Sequence, residues 1–320
     1  MKKTLSFEQP IALLQQQLQQ LQSKTDLDPK TLKEHINSIK KAIDKQKKEI
    51  FNNLTPWQIV ELARHPERPQ TLDIINGLVD QFTPLKGDRH GTECSATIGG
   101  LGYIGERPCM IIGQQKGRTT EERIQHHFGM AQPEGYRKAL RLMQLAEKFS
   151  MPIITLIDTP GAYPGIQAEM NNQSEAIARN LYEMAKLKTP LITVVIGEGM
   201  SGGALAIGMG DINLMCQYAI YSVISPEGCA SILWKDSQYK EVAAKAMQLT
   251  AQDLIKHQLI DGIINEPLGG AHYDAQTFIS TLKTSLIHHI DHLNAKDTDT
   301  LVANRRSKYR ALTQPIHDHA

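Results

Sequence analysis

With 320 residues, 41% hydrophobic and 22% charged, the chain has the balance of a soluble globular protein, with room for one large domain plus an extension or for two smaller ones. A formal net charge of +1 provides no whole-chain electrostatic footprint for nucleic acid or an anionic membrane, so any recognition must be local. Cys94, Cys109, Cys216 and Cys229 form no C-x-x-C pair, which argues against a zinc ribbon and a disulfide-stapled secreted domain and for a reducing, cytoplasmic setting.

Met1-Lys2-Lys3 opens like a signal peptide, but Glu8, Gln9 and Pro10 interrupt any apolar core, and no later apolar run is long enough to span a bilayer. Ile11, Leu14, Leu18 and Leu21 form the stripe of an amphipathic helix, which Asp26-Leu27-Asp28-Pro29 ends. A second stripe at Leu32, Ile36, Ile39, Ile43 and Ile50 completes a helical hairpin, whose lysines Lys40, Lys41, Lys45, Lys47 and Lys48 alternate with Asp44 and Glu49 as a solvated face. Pro56, Pro66, Pro69 and Pro84 mark residues 55–90 as a connecting segment of short helices in which no function is legible.

Ser95 to Tyr103 and Pro108 to Gly113 then read as two strands around a Gly105-Glu106 turn. Pro133 to Phe149 reads as a helix, with Tyr136, Leu140, Met143 and Ala146 on one face and Arg137, Lys138 and Arg141 on the other. Two β-branched runs follow. Pro152 to Ile157 feeds the turn Asp158 to Gly165, and Pro190 to Ile196 feeds a glycine-rich turn from Gly197 to Gly203. Ile177, Leu181 and Met184 mark the crossover helix between them, so the strands are parallel and the active site is expected at their carboxyl ends.

The second turn carries three readings. Gly197-x-Gly199-x-x-Gly202 matches a dinucleotide fingerprint, but Gly210 and Asp211 arrive too soon for a crossover helix. Gly199-Met200-Ser201-Gly202-Gly203 matches a nucleophile elbow, which makes Ser201 the candidate nucleophile of a serine hydrolase with Asp236, Asp253, His257 and His272 as later partners. The third reading needs only backbone: N-H groups at a helix start converge on an oxyanion, and glycine lets a substrate approach. Lys116 and Arg118, just beyond a strand end, are candidates to position an anionic substrate, and Gly161, Ala162 and Gly165 of the first turn are candidates to line the same cleft.

Ala63-Arg64-His65-Pro66, Gly87-Asp88-Arg89, Gln115-Lys116-Gly117-Arg118, Phe128-Gly129-Met130, Pro133 to Arg141, Ile157 to Gly165, Gly197 to Gly208, Tyr221 to Ala230 and Glu266 to His272 together resemble the alpha subunits of bacterial acetyl-CoA carboxylase carboxyltransferases. Met200 stands where glycine is common in that pattern, and the neighbouring Gly202-Gly203 pair is intact. The resemblance implies a crotonase-like α/β spiral of β-β-α units behind an N-terminal helical hairpin. It divides the chain into a helical extension over 1–52, the carboxyltransferase domain over 53–293 and a C-terminal tail over 294–320.

It further implies transfer of a carboxyl group from carboxybiotin, held on a separate biotin carboxyl carrier protein, to acetyl-CoA, giving malonyl-CoA for fatty acid biosynthesis. Gly202 and Gly203 would supply the oxyanion hole, with Gly199, Ser201, Gly161, Ala162, Gly165, Lys116 and Arg118 around the substrates. No biotinylation segment, zinc-ribbon cysteine set or P-loop is present, so the implied zinc site belongs to a beta subunit in an α2β2 heterotetramer and ATP use to a biotin carboxylase. No metal is expected on this chain. The hairpin, with the stripe of Phe278, Leu282, Leu286 and Leu293, suggests an obligate assembly, and a bulky residue at Gly203 is expected to abolish turnover without unfolding the chain.

Overall fold

The computed structural model describes residues 4–23, 28–91 and 93–312. The two N-terminal stripes form α1 (Gln9–Gln22) and α2 (Pro29–Phe51), packed on each other. Asp28 starts α2 by accepting the Thr31 N-H at 3.2 Å, with Pro29 supplying a preset φ in the first turn. Asp26 and Leu27, read as the end of α1, lie outside the described residues. Ile11, Ile43 and Phe51 are buried against Leu62 and Tyr218, while Lys40, Lys41, Lys45 and Lys48 are exposed, as a solvated face requires.

The connecting segment holds α3 (Pro56–Ala63), α4 (Thr71–Leu78) and a strand, β1 (Asp80–Pro84). That strand has no alternating apolar pattern because it is a largely exposed edge, where Pro84 costs no central ladder bond. The expected hairpin follows as β2 (Thr97–Ile104) and β3 (Arg107–Gln114), then α5 (Thr120–Gln125) and α6 (Pro133–Lys148). One residue of α6 departs from the helical-wheel expectation. Lys138 is 3% exposed, and its ammonium donates to Thr97 O at 2.7 Å and pairs with Glu93, so its charge is buried with partners.

Next come β4 (Ile153–Thr159), α7 (Ile166–Met170), the crossover helix α8 (Gln173–Met184), β5 (Leu191–Met200), the five-residue α9 (Ser201–Leu205), β6 (Ile212–Cys216) and β7 (Ile220–Ser222). The chain continues through α10 (Pro226–Trp234), α11 (Lys240–Met247), α12 (Ala251–Lys256), β8 (Gly262–Ile264), α13 (Ala275–Asn294) and α14 (Thr298–Ala311). The strands form one sheet in the order β1-β2-β3-β4-β5-β6-β8, with β7 beside the end of β5. β1, β2 and β3 pair antiparallel, and every later pairing is parallel. All residues of β4 and β5 are buried, which is why both read as unbroken apolar runs.

Phe278, Leu282, Leu286 and Leu293 join the chain's own core, so this stripe is satisfied internally and does not by itself call for a partner. The basic stretch within the 294–320 tail also folds back. Arg305 is fully buried and donates to both oxygens of Asp211 and to the carbonyls of Met184, Leu187 and Thr189. No helix of the described residues is long and apolar enough to cross a membrane.

Candidate functional site

The glycine-rich stretch after Ile196 is not a turn at its start. β5 runs on to Met200, and the site is made by an irregularity inside it. Ile157 pairs with Val195, but Thr159 pairs with Gly199, so Asp158 alone spans Ile196, Gly197 and Glu198. Side chains take the backbone groups that leave the ladder. Asp158 Oδ1 accepts the Glu198 N-H at 3.0 Å, and Arg68 Nε donates to Ile196 O at 2.7 Å. Gly197 is required here because a Cβ would lie 2.4 Å from Asp158 Oδ1.

Beyond Met200 the backbone turns at Ser201, whose φ of +54° is unusual for a side chain other than glycine, and enters α9. The first N-H groups of any helix lack partners within it, and Met200 makes no side-chain cap here. Gly203 presses on the turn after β4, where a Cβ would sit 2.5 Å from Gly161 C and 2.7 Å from Ala162 N. One amide joins the two strand ends: Gln114 Nε2 donates to Gly203 O at 2.7 Å, while its Oε1 accepts Asp158 N-H at 3.1 Å. Gly161 has a φ of +145° and Gly202 is half-buried; a Cβ at Gly161 would meet nothing within 4 Å, and one at Gly202 only Ile177 at 3.4 Å. The two open glycines flank a small cradle with backbone on both sides.

A cavity of about 240 Å³ is lined in part by Arg64, Lys116, Arg123, Phe128, Asp158, Pro160 and Glu198; it reaches the turn after β4 at Pro160, and the cradle residues themselves do not line it. The Lys116 ammonium bridges Asp158 Oδ1 at 2.7 Å and Glu198 Oε1 at 2.6 Å, and Arg64 joins Glu198 to Glu227 at 2.8 and 2.7 Å. Burial raises the Asp158 carboxyl above its usual range. Burial alone would also raise Glu198, but its ion pairs with Lys116 and Arg64 override that and hold it at about 2.

A carboxylate held down in the folded state contributes stability above its unfolded value and loses it as the pH falls toward the folded one. Glu198 is therefore expected to add an acid-sensitive component of about 3 kcal/mol, lost between roughly pH 4.5 and 2. Urea titrations across that window would measure it, and Glu198→Gln should remove this part of the slope.

The structure gathers Gly202, Gly203, Gly161, Ala162 and Ser201 at the cradle. Gly199 is buried in β5, where its small size makes room for Tyr221, 3.0 Å from its would-be Cβ. Gly165 starts α7 under the Tyr163 ring. Lys116 lines the cavity with its ammonium already engaged, and Arg118 points away to Asp73 at 2.9 Å. Sequence reading assigned no role to Arg64, Arg68, Gln114, Asp158 or Glu198. The available signal was an acid at the end of one apolar run and another between glycines, since a buried charge needs a partner.

The hydrolase partners are occupied elsewhere. His257 meets Gln248, His272 Nε2 meets Glu8 Oε1 at 3.1 Å, Asp236 caps a helical turn, and Asp253 Oδ2 accepts the N-H of Thr250, the cap of α12. The dinucleotide reading fails too, because Gly197 and Gly199 lie within β5 and α9 has only five residues. Glu8, His65 and His272 bring possible ligand atoms within 4.8 Å of one another. His65 Nδ1, however, accepts the Glu67 N-H at 3.1 Å, which places the ring proton on Nε2 and makes the group a clasp for the N-terminal segment. The Gly203 expectation needs correction as well: any side chain there strikes the Gly161 backbone, so Gly202 is the position that tests chemistry apart from folding.

A family described as acetyl co-enzyme A carboxylase carboxyltransferase-like matches residues 4–313. The chain belongs to this carboxyltransferase family. The acetyl-coenzyme A carboxylase carboxyl transferase subunit alpha of Coxiella burnetii (strain RSA 331 / Henzerling II) is 56% identical over 305 residues, covering 95% of this chain and 96% of that protein. The protein of the same description from Chlorobium luteolum is 51% identical over 322 residues, covering 96% of each. Among solved structures, transcarboxylase 12S superposes with a TM-score of 0.60 at 17% identity, over 79% of this chain and 44% of that one. This carboxyltransferase chain thus spans less than half of the transcarboxylase chain, and the likeness carries the fold alone, which is the crotonase-like α/β arrangement expected.

Proposed function

We propose that this chain is the alpha subunit of an acetyl-CoA carboxylase carboxyltransferase, moving a carboxyl group from carboxybiotin on a separate carrier protein to acetyl-CoA to form malonyl-CoA for fatty acid biosynthesis. The observation that carries the reading is the uncapped start of α9 set against Gly161–Ala162, with open space over Gly202 and Gly161. A flat ureido ring fits such a cradle because no Cβ fills it. Bound there, carboxylated biotin supplies the carboxyl group and, once relieved of it, a basic ureido nitrogen for the acetyl proton.

The chain's own part is electrostatic. N-H groups of Gly202 and Gly203 donate to the ureido oxygen as negative charge builds, helped by the helix start, while the Gly161–Ala162 turn and Ser201 shape the walls. No side-chain base is needed on this subunit, which agrees with ion-paired rather than free acids around the cavity. The relatives' description as subunit alpha supports a multisubunit enzyme. In this reading a zinc-ribbon beta subunit completes an α2β2 enzyme and binds most of the CoA, and a biotin carboxylase charges the carrier with ATP.

Co-expression with the beta subunit and a malonyl-CoA assay with carboxylated carrier test the proposal. Ser201→Ala is expected to keep turnover within about threefold, and an active-serine probe should label neither form. Ser201-dependent labelling would restore the hydrolase reading.

A further inference from the structure

The two-residue excess of β5 opposite Asp158 does more than accommodate extra chain. The β5 stretch that follows it ends in Ser201, Gly202 and Gly203, and the β4 stretch that follows Asp158 ends in Gly161 and Ala162. The distance between those two ends is therefore set by whatever spans the irregularity. From the β4 side Asp158 spans it, its Oδ1 accepting the Glu198 N-H at 3.0 Å and pairing with the Lys116 ammonium at 2.7 Å, while the Gln114 amide ties Asp158 N-H to Gly203 O from β3. Lys116 also holds the Glu198 carboxylate at 2.6 Å, so both strand ends are fastened to one cation brought in from beyond β3. Gly197 lies flush against the same carboxylate.

We infer that Asp158 is a positioning residue for carboxyl transfer: by capping the Glu198 N-H, with Lys116 balancing the charge, it fixes the start of α9 against the Gly161–Ala162 turn. The inference rests on the proposed function, since it takes the cradle between those segments as the place where charge develops. It touches no reacting atom. Its effect is geometric, and displacement of a reacting group by about 1 Å is enough to cost about 100-fold in rate.

The test separates the acceptor from the charge within the assembled enzyme. In Lys116→Met/Asp158→Asn the pair is neutral and the amide oxygen still accepts from Glu198, whereas in Lys116→Met/Asp158→Ala the pair is neutral and the acceptor is gone. The Ala variant is expected to lose about 100-fold in kcat relative to the Asn variant, with the same KM for acetyl-CoA in both. Equal kcat in the two, whether both high or both low, overturns the inference.

Should either double variant fail to assemble, Gly197→Ala alters no charge yet drives a methyl group to within 2.4 Å of Asp158 Oδ1. It is expected to show the same kcat loss at unchanged KM, and wild-type kcat there overturns the inference. A wild-type complex that forms no malonyl-CoA overturns the functional reading, and this inference with it. An active wild type with insensitive variants overturns only the inference.

Discussion

Gly203→Ala is expected to lose turnover and stability together, whereas Gly202→Val, one position earlier, should lose turnover alone. At Gly203 the added carbon meets main chain, 2.5 Å from Gly161 C and 2.8 Å from Gly161 O. Backbone cannot swing aside like a side-chain tip, so α9 and the turn after β4 must separate, and overpacking of this kind costs about 1–3 kcal/mol. At Gly202 an added carbon meets only the Ile177 side chain, 3.4 Å away at an ordinary contact, so the fold accepts it and a side chain there takes up space beside the start of α9. Loss of a positioned oxyanion contact costs about 100-fold to 1000-fold in rate, and obstruction of the cradle should reach that range. Thermal melts read beside malonyl-CoA formation distinguish the two. Wild-type turnover in Gly202→Val would remove the cradle from the mechanism, and an unchanged melt in Gly203→Ala would contradict the packing.

Arg305→Ala should be the most destabilising change in the C-terminal helix. The guanidinium is 0% exposed and meets Asp211 through two nitrogens at 2.8 and 2.6 Å, with three further carbonyls, one from the last residue of α8 and two from the segment between α8 and β5. Truncation leaves a buried carboxylate without its cation, a situation that costs about 3–5 kcal/mol. Arg305→Lys keeps the charge but not the planar fork, so its urea midpoint should fall between those of the wild type and the alanine variant. A loss below about 1 kcal/mol in Arg305→Ala would mean that α14 does not hold this end of the sheet.

What was legible in the sequence follows from what was local. The buried strands β4 and β5 announced themselves as β-branched runs, α8 by its helical stripe, and the cradle glycines by their density beside a strand end. The irregularity in β5 was not legible, because Gly197 to Met200 read as a turn and only the pairing with β4 reveals a strand that continues. Arg64 and Arg68 sat in a proline-rich segment that looked like a connector, and their partners Glu198 and Glu266 lie 134 and 198 residues away. Arg305 resembled a solvated tail for the same reason, its acid partner being 94 residues upstream. Charge pairs across such separations have no periodicity, so only the fold brings them into view.

The Arg305 clasp also bears on how the chain matures. During synthesis β5, α9 and β6 emerge long before residue 305, so Asp211 and the carbonyls of Met184, Leu187 and Thr189 wait without their guanidinium for most of the remaining translation. The N-terminal segment waits longer still, since Glu8 meets His272 across 264 residues. Contacts of such span fold slowly, and the exposed intermediate they leave is the one most open to proteolysis and aggregation. Nascent chains stalled before α14 should be digested readily around residues 184–211, and protection should arrive in one step once Arg305 clears the ribosome.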